Sequence, residues 1–198
     1  MRDNRIRLIA EIGLAVALSI AINALFTLLL PIRLPMGGSL SLIMLPIIVL
    51  ALIRGPVVGV TTGVLVGLSD LMFGATIISI PQMLLDYPIA YGLVGLAGIF
   101  ALRPSTNFLG EEVQPTLRKM IVFAVLGTLV GGAARLVAHI LSGVLFFGQY
   151  APEAQNVWVF SGLYNISFMG PNIVLVALAT ALVFPVVRRY VVTTQATT

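Results

Sequence analysis

Long apolar runs separated by short polar or turn-forming segments make up most of the chain. A helix needs roughly 20 residues to cross the hydrocarbon core of a membrane, and most of these runs approach that length. Pro31, the "RGP" turn at Arg54–Pro56 and the polar segment Arg103–Lys119 mark boundaries between them. The pattern predicts six helices, over Leu8–Leu30, Ser41–Ile53, Val57–Phe73, Pro81–Leu102, Met120–Phe146 and Val157–Val187.

Composition assigns these helices to a membrane. Apolar residues make up 59% of the 198 positions and charged residues only 9%, with a mean hydropathy of +1.10, whereas soluble domains carry about 25% charged residues. We therefore predict an all-α integral membrane protein, with residues 1–198 forming one domain of six transmembrane helices. The absence of cysteine excludes disulfides and thiolate metal sites, and we expect neither a metal nor a cofactor.

Basic residues predict the orientation. Six crossings put both termini on one side, and cytoplasmic loops of membrane proteins are enriched in lysine and arginine. With both termini cytoplasmic, only Arg33 falls in an outer loop and only Arg135 within a helix. The other nine basic residues are then cytoplasmic: Arg2, Arg5, Arg7, Arg54, Arg103, Arg118, Lys119, Arg188 and Arg189.

Three polar residues fall at similar depth near the predicted outer face. Asp86 lies early in the fourth helix, His139 late in the fifth and Asn165 early in the sixth. Ionisable groups inside a membrane usually face the bundle interior and mark a ligand path. With the neighbouring aromatic residues they suit a small, flat, cationic ligand, held by countercharge and by stacking. Those aromatic residues are Phe146, Phe147, Tyr150, Trp158 and Phe160.

Each of these residues could instead have a purely structural role. Asp86 could pair with Arg135, although we prefer Asp70 as the partner of that arginine. His139 could be a packing residue, and Trp158 and Tyr150 could belong to the interfacial aromatic belt.

Several segments together resemble the thiamine-specific substrate-binding (S) component of energy-coupling factor (ECF) transporters. They are "RLIAEIGLAVAL", "LPMGGSLSLIMLPI", "ALIRGPVVGVTTG", "LLDYPIAYGLVGLAG", "HILSGVLFFGQYAPE" and "WVFSGLYNISFMGP". The resemblance implies capture of thiamine from outside the cell. It also implies, as partners, a transmembrane coupling protein and two cytoplasmic ATPases in a prokaryotic cell membrane.

The resemblance also implies residue roles. Asp86 and Tyr87 match the family's acidic–tyrosine pair, which contacts the two rings of thiamine. Phe160 occupies a position where the family has a tyrosine, and a compensating hydroxyl or ring could come from Trp158 or Tyr164. The remaining matches are His139 and Asn165 as ligand contacts, Phe147 as a stacking ring, and Gly37, Gly38 and Ser39 in a lid loop with flexible glycines.

A stripe of small residues in the first helix resembles the family's docking surface for the coupling protein. Gly13, Ala17 and Ala21 recur every four residues, which allows another helix to approach closely. Packing within this chain is the alternative, and we assign it to Gly59, Gly63 and Gly67 in the third helix.

No GxxxxGK[ST] phosphate loop is present, so we predict a binding subunit without ATPase or other enzyme activity. One alternative is a stand-alone secondary transporter of a small cationic vitamin, with Asp86 and His139 carrying protons. Another is an S component for a different vitamin. An intramembrane hydrolase using Ser142 with His139 is disfavoured, because the chain has no GxSxG-type nucleophile turn.

Overall fold

The computed structural model describes residues 2–29, 38–102, 105–106 and 112–196, and these residues are almost entirely helical. Pro31, Arg33, Gly37 and Arg103, which figure in the predictions above, lie outside this part of the chain. The helices are α1 (Arg2–Leu29), α2 (Met44–Arg54), α3 (Pro56–Asp70, followed by a 3-10 turn at Leu71–Phe73), α4 (Ile80–Phe100), α5 (Leu117–Phe146, followed by a 3-10 turn at Gly148–Tyr150) and α6 (Val157–Ala196). Between α4 and α5, β1 (Ser105–Thr106) pairs antiparallel with β2 (Glu112–Val113).

Five of these helices are long and apolar enough to cross a membrane, which makes the chain a multi-pass membrane protein. The sixth, α2, has 11 residues and spans about 16 Å, roughly half of a hydrocarbon core. It is nevertheless the most buried helix of the bundle. Its fully buried side chains, Met44, Ile47, Ile48 and Leu52, form the centre of the hydrophobic core. The all-helical class is therefore confirmed, with α2 acting as a central core helix.

Several helix ends differ from the predicted ones. The first helix begins at Arg2 rather than Leu8, and the last continues to Ala196 rather than Val187. Hydropathy marks the end of an apolar run, whereas a helix continues until its backbone pattern is broken. The second helix begins three residues later than predicted, because the Ser41 hydroxyl accepts a hydrogen bond from the backbone N–H of Ile43 (3.1 Å) and holds a turn there.

The fourth helix changes its winding at the polar site. Leu85–Ile89, which contains Asp86 and Tyr87, is a π-helical turn between two α-helical turns, and Gly95–Phe100 ends the helix in 3-10 geometry. Pro88 lies inside the π turn and has no N–H to donate, so the regular ladder cannot pass through it. The N–H of Ala90 instead donates to the carbonyl oxygen of Leu85, five residues earlier.

Glycines let α3 and α4 approach each other closely. A Cβ atom added at Gly67 would lie 2.5 Å from the carbonyl oxygen of Tyr87, and one added at Gly63 would collide with the carbonyl of Tyr91. Gly59 meets the backbone of Gly95 in the same way. The interpretation of the α3 glycines as internal packing residues is confirmed. The close contact between α3 and α4 also fixes the backbone of Tyr87 and Tyr91, whose side chains line a pocket.

At the opposite end of α1 from that pocket, an ion pair joins α1 to α2. The carboxylate of Glu11 accepts two hydrogen bonds from the Arg54 guanidinium, at 2.6 and 2.7 Å, and a third from Arg7 at 3.2 Å. A bidentate arginine–carboxylate pair has a defined geometry as well as charge. It therefore holds the two helices together at the end remote from the pocket.

We predict that Gly63→Ala lowers the melting temperature of the purified protein by several degrees. The added methyl group has no room against the Tyr91 carbonyl, and overpacking of this kind costs about 1–3 kcal/mol. Gly162→Ala is the matched control, since a Cβ there meets nothing within 4 Å. Equal melting temperatures for Gly63→Ala and Gly162→Ala would show that the helices are not held in this close contact.

Candidate ligand-binding site

A polar pocket lies where one end of every helix meets. The carboxyl-terminal halves of α1, α3 and α5 and the segments that begin α2, α4 and α6 contribute its walls. The cavity has a volume of about 140 Å³. Charged and amide groups line it together with aromatic rings, which is typical of a site for a small polar ligand.

Asp86 is held by three hydrogen bonds from neighbouring side chains. Its Oδ2 accepts from Gln82 Nε2 at 2.7 Å and from Ser142 Oγ at 2.8 Å, and its Oδ1 lies 3.1 Å from His139 Nδ1. Only 12% of its side-chain surface is exposed. A carboxylate buried this far needs such partners, because an unpaired buried charge is costly.

His139 connects Asp86 to Arg135. Its second ring nitrogen, Nε2, accepts a hydrogen bond from Arg135 Nε at 3.3 Å, one helical turn earlier on α5. The imidazole therefore has a partner on both nitrogens, and its edge also packs against the ring of Phe168 at a centroid distance of 6.2 Å. His139 is accordingly an oriented member of the site.

Asp70 reaches Arg135 only through Tyr91. The Arg135 guanidinium carbon lies 3.9 Å from the centroid of the Tyr91 ring, and the Tyr91 hydroxyl donates to Asp70 Oδ2 at 2.9 Å. Asn23 Nδ2 donates to the other carboxylate oxygen at 3.0 Å.

The preferred direct pair of Asp70 with Arg135 was therefore wrong, and so was its alternative with Asp86. Among the residues that the structure describes, no arginine or lysine nitrogen lies within 4.0 Å of either carboxylate. The aromatic ring of Tyr91 occupies the space between Arg135 and Asp70 and makes a cation–π contact instead.

Asn165 ties the crossing of α5 and α6 to the site. Its Nδ2 donates to the carbonyl oxygens of His139 (3.2 Å) and Ser161 (2.9 Å). The helices can cross so closely because residue 143 is a glycine: a Cβ there would collide with the Ser161 hydroxyl. Asn165 is only 4% exposed, and its position is set by backbone atoms of both helices.

The segment before α2 is bound to α6 at the rim of the pocket. The backbone N–H of Gly38 donates to the Tyr164 hydroxyl at 3.1 Å. Asn172 accepts from the N–H of Ser41 and donates to the carbonyl oxygen of Ser39, both at 2.8 Å. A Cβ at Gly38 would lie 2.7 Å from the Phe168 ring, so a residue without a side chain is required at this contact.

A family model described as "Thiamine transporter protein (Thia_YuaJ)" matches residues 9–192. The chain belongs to this thiamine transporter family.

Two curated relatives are similar to it, both called "Thiamine transporter ThiT". The protein from Bacillus subtilis (strain 168) is 34% identical over 180 residues, covering 90% of each chain. The protein from Lacticaseibacillus paracasei (strain ATCC 334) is 36% identical over 126 residues, covering 62% of this chain and 61% of the relative.

A solved structure shares the fold of this family member. The structure of ThiT from Listeria monocytogenes superposes with a TM-score of 0.69, over 94% of this chain and 96% of that one, at 24% identity. At that identity the match supports the fold. It agrees with the all-helical bundle described above.

The structure brings most of the predicted site residues of this thiamine transporter family member together. Asp86, His139 and Asn165, expected at one depth, line the same pocket, as do Tyr87, Phe147, Phe160, Tyr164, Gly38 and Ser39. Trp158 lies outside the pocket with 56% of its surface exposed, which agrees with the interfacial-belt alternative. Gly13, Ala17 and Ala21 lie on an exposed face of α1.

Sequence reasoning missed several residues that hold the site. Gln82 precedes Asp86 by four residues, so helical spacing could have found it, whereas Ser142 was considered only as a nucleophile beside His139 and instead donates to Asp86. Tyr91 is a further turn along α4 from Tyr87. No local sequence pattern predicts a site role for Asn23 or Asn172, because their hydrogen-bond partners are distant in the chain.

Proposed function

We propose that the protein captures thiamine from outside the cell as the S component of an ECF-type importer. The observation that carries the proposal is a pocket with two carboxylates in a member of the thiamine transporter family. The curated relatives that it resembles over most of their length include a protein named thiamine transporter. Binding and delivery are its tasks, and it has no catalytic role.

Charge favours a monovalent cation in this pocket. Asp70, Asp86 and Arg135 line it, so their formal charges sum to −1 (+1 − 2) when His139 is neutral. The thiazolium ring of thiamine carries one permanent positive charge. A bound thiamine therefore brings the buried site to neutrality, which lowers the cost of keeping these charges away from water.

Aromatic and amide groups suit the two flat rings of thiamine. Phe147 and Phe160 offer ring faces, and we assign the stacking contact to Phe147. The Asn165 amide nitrogen is already engaged by backbone carbonyls, so we assign its oxygen to the amino group of the pyrimidine. Asp86 and Tyr87 contact the two rings of the ligand, with Asp86 as acceptor and countercharge.

Tyr164 is the candidate to replace the hydroxyl that is missing at Phe160. It lines the same wall of the pocket one turn further along α6, and its hydroxyl accepts from the N–H of Gly38. In this role Tyr164 connects the ligand to the segment of Gly38 and Ser39. That segment, with Gly37, is the lid that we propose closes over thiamine.

The proposed topology has six crossings with both termini in the cytoplasm, in the cell membrane of a prokaryote. The shortness of α2 fits a crossing completed by the residues that precede it. The pocket then opens toward the outside, which suits a binding subunit for import.

Energy for release comes from partners in this proposal. The coupling protein docks on the stripe of Gly13, Ala17 and Ala21, and two ATPases act on the coupling protein. The three stripe residues are exposed, and a Cβ at Gly13 would meet nothing within 4 Å. The stripe is thus not used for packing among the described residues of this chain, and small-residue surfaces are typical of close helix contacts in membranes.

Asp86→Asn should weaken thiamine binding by roughly 30-fold or more. Removing one member of a desolvated charge pair costs about 2–5 kcal/mol. Its melting temperature without ligand should change little, because the amide oxygen can still accept from Gln82 and Ser142, and removal of a costly buried charge offsets the lost bond to His139. Calorimetric titration and melting curves, with Asp70→Asn measured alongside, test this. A destabilised Asp86→Asn protein that binds thiamine normally would end the assignment of Asp86 to the ligand.

Ala17→Trp should leave thiamine binding near normal and abolish thiamine uptake by cells that express the whole transporter. The bulky ring covers the exposed stripe and blocks a close helix contact, and Ala17 itself does not line the pocket. Leu18→Trp is the matched control, since Leu18 is also exposed (46%) and lies beside the stripe. Loss of binding together with uptake in Ala17→Trp would mean that the stripe supports the fold of this chain instead.

A further inference from the structure

Arg135 occupies an unusual position for a charged residue of a membrane bundle. It is 9% exposed and has no carboxylate oxygen within 4.0 Å among the described residues. Its Nε donates a hydrogen bond to His139 Nε2 at 3.3 Å. A buried guanidinium that points at an imidazole rather than at an acid calls for a functional reason.

The direction of that hydrogen bond determines the protonation of His139. A guanidinium nitrogen can donate but cannot accept, so Nε2 must present its lone pair to Arg135. The single ring proton is then on Nδ1, which donates to Asp86 Oδ1 at 3.1 Å. An imidazolium would direct a second N–H at the N–H of Arg135, and that arrangement is repulsive.

The opposite side of Arg135 is held as well. Its guanidinium stacks on the ring of Tyr91, which is 3% exposed and anchored through its hydroxyl to Asp70. Arg135 therefore cannot turn from His139 toward Asp70 without displacing a buried ring. The titratable or charged groups that line the pocket around His139 are Asp86, Tyr87 and Tyr91 from α4, Asp70 from α3, Arg135 from α5 and Tyr164 from α6.

We propose that Arg135 is a positioning residue that keeps His139 neutral and protonated on Nδ1, so that Asp86 retains an uncompensated charge for a cationic ligand. The inference rests on the proposed function for its consequence, although its structural part does not. A protonated His139 would pair with Asp86 and bring the formal charge of the pocket from −1 to zero. The attraction for a cation would then be lost.

Nitrogen NMR of the ligand-free protein tests the structural part. His139 is the only histidine of the chain, so labelling histidine with nitrogen-15 gives a single imidazole. We expect one protonated nitrogen, Nδ1, and one unprotonated nitrogen, Nε2, unchanged between about pH 8 and about pH 5.5. Arg135→Met removes the donor and should let the ring take up a second proton in this range. A wild-type imidazolium, or a wild-type ring protonated on Nε2, would overturn the proposal.

Thiamine titrations over the same pH range test the consequence. The neutral fraction of an ordinary histidine falls roughly tenfold from about pH 8 to about pH 5.5. The thiamine affinity of Arg135→Met should therefore fall roughly tenfold more over this range than the affinity of the wild type does. Arg135→Lys should keep the shape of the wild-type pH profile, whatever its affinity, because an ammonium group also only donates. Comparison with the wild type cancels any titration of thiamine itself.

The two experiments distinguish a failure of the positioning role of Arg135 from a failure of the proposed function. Identical pH profiles for Arg135→Met and the wild type would overturn the positioning role of Arg135. If Arg135→Met does not fold, the wild-type spectrum decides, because an imidazolium or a ring protonated on Nε2 would still overturn the proposal. Failure of the wild type to bind thiamine at any pH, with the predicted imidazole spectrum intact, would instead contradict the proposed function.

Discussion

Burial of the Asp86 carboxylate inside an apolar helical bundle is the constraint on which the site depends. The cost of removing a carboxylate from water is met by three side-chain partners, Gln82, Ser142 and His139. Two of these lie on α5, so satisfying the carboxylate fixes α4 against α5. None of the three partners is an arginine or a lysine, and in the proposed function the charge of Asp86 is left for the ligand.

Satisfying the remaining polar groups links the other helices to the same point. From His139 the contacts continue through Arg135 and Tyr91 to Asp70 on α3 and Asn23 on α1. Asn23 accepts in turn from the hydroxyl of Ser41, whose N–H donates to Asn172 on α6. Hydrogen bonds are the only way to satisfy these groups away from water, so a shift of one helix affects partners on several others.

Hydropathy and turn residues were sufficient to predict the long helices, because a membrane requires apolar runs of defined length. Counting residues from the predicted helix ends was also sufficient to predict that Asp86, His139 and Asn165 lie close together, and all three line one pocket. The π turn at Pro88 was missed, although a proline inside a predicted helix signals a break in the hydrogen-bond ladder. The true neighbours of Arg135 and the partners of Asn23 and Asn172 depend on helix rotation and on contacts across the bundle, which periodicity alone does not give.

Calorimetric titration of the purified wild-type protein against thiamine, pyridoxine, riboflavin and biotin tests the central claim most directly. A pocket with a formal charge of −1, a carboxylate at Asp86 and aromatic rings at Phe147 and Phe160 should bind thiamine saturably, one molecule per chain. The other three vitamins lack a permanent positive charge on a flat ring and should give no saturable signal. Saturable binding of one of them without binding of thiamine would contradict the account.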